Sequence, residues 1–151
     1  MKTKHILIII CLFCTNIIFA QNKLFEKYAD MDDVTSVYIS KAMFQMMPKI
    51  GNVGVNLMNM KGKIESLQLV TTEKPEKITQ MKKEFSQLVT TRHQELMRVK
   101  DGKSRVNFYS DMQGDRIKEL LMLIESDDNF TAILLNGNFT LKDIQEIADQ
   151  E

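Results

Sequence analysis

Leu96-Met-Arg-Val-Lys100 and Arg105-Val-Asn-Phe-Tyr-Ser-Asp111 flank the turn Asp101-Gly-Lys-Ser104, and this stretch decides the fold class. Both runs carry β-branched or aromatic residues between polar ones, a composition that suits a pleated, half-buried surface. A short Gly-containing turn between two such runs predicts a β-hairpin. Downstream, residues 116–125 suit a helix by propensity, yet Ile117, Glu119, Leu121 and Leu123 also line one face of a strand. Asp127-Asp128-Asn129 then supplies a turn into a strand at 130–135, which favours a second hairpin, ended by Gly137. Thr140-Leu-Lys-Asp143 has the spacing of a helix-capping box, so an amphipathic C-terminal helix is expected with Leu141, Ile144 and Ile147 inward.

Upstream, Ile78, Met81, Phe85 and Leu88 recur at helical spacing behind Pro75, predicting a helix over 75–92 with lysines on its wet face. Residues 64–71 precede it as a strand. Val34-Thr-Ser-Val-Tyr-Ile39 is another strand, and Ser40 caps a helix over 41–47 that Pro48 stops. Leu24, Phe25 and Tyr28 place a short helix at 23–29, while Gly51, Gly54 and Gly62 break any regular pattern over 49–62. The expected fold is α+β, a mostly antiparallel sheet with helices packed on one face.

The N-terminus reads as an export signal. Lys2 and Lys4 precede an apolar run from Ile6 to Cys14, and Ala20 supplies the small residue before a cut. Cleavage between Ala20 and Gln21 is expected, leaving one domain over residues 21–151. Such a protein works in the periplasm or cell envelope. The apolar run is shorter than the ~20 residues of a transmembrane helix, and no further span is expected in the mature chain. Cys11 and Cys14 both leave with the signal, so the mature chain has no disulfide, thiolate metal site or cysteine nucleophile. The bulky residues before Cys14 do not fit a lipidation site.

Loss of Lys2 and Lys4 leaves 18 basic residues against 20 acidic ones, a net charge of −2. The basic residues form no cluster, which argues against nucleic-acid binding. Nothing in the sequence fixes an oligomeric state.

Five segments carry a family resemblance: Phe25-Glu-Lys-Tyr28, Val34-Thr-Ser-Val-Tyr-Ile-Ser40, Leu96-Met-Arg-Val-Lys-Asp-Gly102, Gly114-Asp-Arg-Ile-Lys-Glu-Leu120 and Asn136-Gly-Asn-Phe-Thr-Leu-Lys-Asp-Ile144. On these the chain resembles the exported domain-of-unknown-function family 4252 of Gram-negative Bacteroidota. The resemblance spans nearly all of the mature chain and implies a small envelope protein. It implies no catalytic residue and no cofactor.

The chemistry-bearing residues are sparse. His93 is the sole histidine after Ala20, and it would act as a general base only if a distant carboxylate oriented it. At a helix C-terminus its charge would instead complement the dipole. Asp30, Asp32 and Asp33, like Asp127 and Asp128, lack the alternating-ligand register of a calcium loop and suit turns. Methionine is the unusual feature, with Met43, Met46, Met47, Met58 and Met60 close together around Phe44. Thioethers make an adaptable apolar surface, so these six residues are the expected contact region of a non-enzymatic module for an envelope protein partner or another envelope component. The alternative is a periplasmic small-ligand or Cu(I) binder with the same methionines as soft ligands.

Overall fold

The structure, a computed structural model, describes residues 16–46 and 62–148. Its elements run α1 (Asn16–Ala29), β1 (Thr35–Ser40), α2 (Lys41–Met46), β2 (Ile64–Thr72), α3 (Pro75–Ser86), β3 (His93–Asp101), β4 (Ser104–Gln113), β5 (Arg116–Glu125), β6 (Phe130–Phe139) and α4 (Leu141–Ala148). The six strands form one sheet in the order β1-β2-β6-β5-β4-β3, and every neighbouring pair is antiparallel. The α+β expectation and both hairpins are met. The ambiguous stretch at 116–125 is strand β5, because it is sandwiched between β4 and β6 and its alternate residues serve opposite faces.

Alternation along the strands separates two apolar clusters, one on each face of the sheet. On the first face, Val70, Leu121, Leu123, Ala132 and Leu134 pack beneath Phe25 and Tyr28 of α1 and Ile78, Met81 and Phe85 of α3. Phe85 is the hub, with ring centroids 5.0 Å from Phe25, 5.5 Å from Tyr28 and 5.9 Å from Phe130. A Lys27–Glu84 ion pair of 2.7 Å ties the two helices at the surface. These anchors begin at Leu24 and Phe25, beyond the expected cleavage position, which lies inside α1.

The second face is closed at one end. There Ile39, Leu67, Leu120 and Leu135 pack with Phe44 of α2 and Ile144 of α4. The expectation of helices on one face therefore holds for α1 and α3 but not for α2 and α4, whose apolar side chains follow the sheet's other side.

Three further local expectations are corrected. The helix expected over 75–92 ends at Ser86. Backbone bonds from Gln87, Leu88 and Val89 to carbonyls three residues back tighten its last turn, and the β-branched run Val89-Thr90-Thr91 does not favour continuation. Gly137 does not end β6. It sits within the strand, where the Asn138 amide donates to the Lys63 carbonyl at 2.8 Å and a Cβ on Gly137 would lie 2.3 Å from that same oxygen. Leu141 is 44% exposed and points away from the core, whereas Ile144 packs inward as expected. The capping box itself is present: the Thr140 amide donates to Asp143 Oδ2 at 2.7 Å, and the Asp143 amide donates to Thr140 Oγ1 at 3.3 Å.

Candidate functional site: an open apolar face and a polar row

Antiparallel register aligns side chains into rows that cross the whole sheet. One row on the second face runs Val37, Leu69, Ile133, Met122, Phe108 and Met97, one residue from each strand in spatial order. With neighbouring strands about 4.8 Å apart, such a row is ~24 Å long. All six residues are apolar and none is fully buried; Val37 and Met97 at the two edges are 39% and 47% exposed. The next row outward is Thr35, Thr71, Thr131, Ile124, Val106 and Val99, again without a charge. Within it Thr71 and Thr131 share a hydroxyl–hydroxyl bond of 2.7 Å, which satisfies both groups internally. Phe44 and Ile144 bring apolar helical side chains to this side, and they join it at the opposite end.

The first face carries the converse pattern. At the end away from α3, the row His93, Asp111, Glu119, Asn136, Ser66 and Ser40 is polar on every strand. It is knitted by Arg92–Asp111 at 2.7 Å, His93–Glu119 at 2.8 Å and Asn136–Ser66 at 3.2 Å.

His93 lies in this row as the first residue of β3 and not at a helix end, and Glu119 is the distant carboxylate that sequence spacing could not supply. Its geometry is that of a structural histidine. The Thr90 amide donates to Nδ1 at 3.0 Å, which fixes the proton on Nε2, and Nε2 faces Glu119. The ring has no exposed surface. Both nitrogens are thus engaged away from solvent, and the arrangement orients the chain at the start of β3.

The acidic loops also resolve into turns. Asp32 and Asp33 are exposed in the connection from α1 to β1. Ser126–Asn129 closes on itself through the Ser126 amide to the Asn129 carbonyl at 2.9 Å and the Asn129 amide to Ser126 Oγ at 3.0 Å.

The methionine segment is divided. Met43 and Met46 lie one helical turn apart on α2 and are 42% and 73% exposed, whereas Phe44 between them is fully enclosed in the core. Met47, Met58 and Met60 lie outside the described residues. Sequence reasoning missed the apolar row because it depends on register among six strands. The signal that could have found it was the apolar set on the second face of each predicted strand.

The fold is thus a six-stranded antiparallel α+β sheet with one face covered by two helices and, among the described residues, the other largely open. A family model, Domain of unknown function (DUF4252), matches residues 28–147, and the chain belongs to that family. No curated protein and no solved structure matches it. Among the described residues, no helix is long and apolar enough to cross a membrane.

Proposed function

We propose that this chain is an exported, non-enzymatic binding module of the cell envelope, docking a protein partner on the open apolar face of its sheet. The observation that carries this reading is the uncharged row from Val37 to Met97, which reaches both edges of the sheet half-exposed. A contiguous apolar surface of this kind is costly to leave in water and marks interaction sites in soluble proteins. Exposed Met43 and Met46 extend the apolar character onto α2, and their flexible thioethers adapt to an uneven partner. The N-terminal signal pattern supports export, with cleavage after Ala20 and function in the periplasm or envelope.

The test is site-specific photocrosslinking in host envelopes. A photoreactive residue at Met97 or Val99 should give one discrete adduct with another protein, and the same residue at exposed Lys142 should not. Adducts that are identical from all three positions would overturn the reading. So would a crosslink from Met97 that returns only to residues 47–61 of the same chain.

A second reading rests on the pairing of Met43 and Met46 on one turn of α2, which offers two soft ligands for Cu(I). Dialysis against Cu(I) with and without Met43→Leu and Met46→Leu distinguishes it, since retention that survives both changes would exclude this helix.

A further inference from the structure

The two edge strands of the sheet are treated differently by the sequence. Edge β3 carries Glu95, Arg98, Lys100 and Asp101, and charged side chains on an edge discourage a further strand from pairing. Edge β1, Thr-Ser-Val-Tyr-Ile-Ser, has no charge, proline or glycine, and its first four residues are exposed. Tyr38 stands 67% exposed there. Among the described residues β1 pairs with β2 alone, so one row of its backbone N–H and C=O groups faces outward.

Beside that edge lies a cavity of about 330 Å³, between α1 and the first face of β1 and β2. Exposed Ala29, Ser36 and Tyr38 line it, with buried Phe25 and Val70 behind them. The Gln68 side-chain amide donates to Asn22 Oδ1 across it at 3.1 Å. Glu26 is the one carboxylate in the lining, and it is exposed.

From the uncharged edge and the adjoining cavity, we infer that β1 is a strand-addition site for an extended peptide segment that places a Lys or Arg side chain in the cavity. Outward backbone groups specify the occupant's conformation, because only an extended chain can pair with them in series. Strand alternation turns every second side chain of that segment toward the first face, alongside Ser36 and Tyr38 and into the cavity. A long basic side chain lays its methylene stem against Ala29 and Tyr38 and brings its charge to Glu26. The site is on the opposite side of β1 from the open apolar face and does not depend on the function proposed for that face.

Selection of a displayed library of random peptides of about ten residues on the purified protein tests this inference. Enriched peptides should carry a Lys or Arg within an alternating uncharged run, and their binding should slow amide exchange across Thr35–Ser40. Glu26→Lys at the exposed surface of α1, and separately Ala29→Trp to fill the cavity, should each weaken binding about tenfold. Met97→Glu on the other face should leave it unchanged, which separates failure here from failure of the apolar-face reading. Failure to enrich any peptide, enriched peptides that leave β1 exchange unaltered, or affinity insensitive to Glu26→Lys would each overturn the inference. A chain that sediments as a dimer until Ser36→Lys is introduced would also overturn it, in favour of self-pairing of β1.

Discussion

Gly137 and Asp143 show how single residues hold the junction where β6 meets the start of β2. At Gly137 the constraint is space, since the Lys63 carbonyl occupies the position a Cβ would need. Gly137→Ala should cost about 1–3 kcal/mol of stability by chemical denaturation, because backbone has to move to relieve the overlap. Gly62→Ala is the control: nothing lies within 4 Å of its added methyl, and its midpoint should barely change. Asp143 works by charge. The Lys63 ammonium at 2.5 Å, reinforced by the Thr140 amide and hydroxyl, holds its carboxyl below the ordinary carboxylate range. A depressed folded-state pKa means stability that is fully present above the unfolded value of about 3.9 and lost as pH falls through the lower folded one. The stability gap between wild type and Asp143→Asn should therefore be constant from pH 7 to about pH 5 and narrow below about pH 4. A gap that widens on acidification would contradict this assignment. The capping box was legible in the local spacing Thr140-x-x-Asp143, whereas the role of Gly137 was not, because its constraint comes from Lys63, more than seventy residues away and just before β2.

Elements were legible where one local signal dominated. The turn at Asp101–Ser104, Pro75 at the start of α3, and the alternating runs of β1 and β2 fixed those elements almost to the residue. The end of α3 was not legible in the same way. Leu88 continues the apolar period and still packs on the core, but from a tightened turn beyond the helix. That early end frees Thr90 to hold His93, and so it starts β3 three residues before the expected strand. Phe85, on the last turn of α3, joins both covering helices to β6. Phe85→Ala should cost about 3–5 kcal/mol, near the upper range for a buried aromatic, since three aromatic contacts vanish together. Leu141→Ala on α4 should cost far less, as that side chain is already exposed. Equal losses in the two variants would show that α3 does not organise the core as described.

Across the whole molecule, the sheet sorts its chemistry by face and by edge. Helices cover the first face where it is apolar, and its other end carries the row from His93 to Ser40. On the second face the apolar rows continue beyond the reach of Phe44 and Ile144. The sequence made each strand's alternation visible, but the sum over six strands required their order, and β6 inserting between β2 and β5 is a non-local fact. For the same reason the methionine segment stood out in sequence while the row containing Met97 and Met122 did not. If the open face docks a partner, Met97→Glu should leave the denaturation midpoint within about 0.5 kcal/mol of wild type while abolishing the envelope crosslink from Val99.

The most direct measurement of that openness is solvent relaxation of methionine methyl groups in the isolated protein, using a neutral paramagnetic agent in the water. The account predicts strong relaxation at Met97, a clear effect at Met122, and protection at Met81, which has no exposed surface. Protection of Met97 and Met122 as complete as that of Met81 would mean that the face is covered within the chain, and would contradict its role as a docking surface.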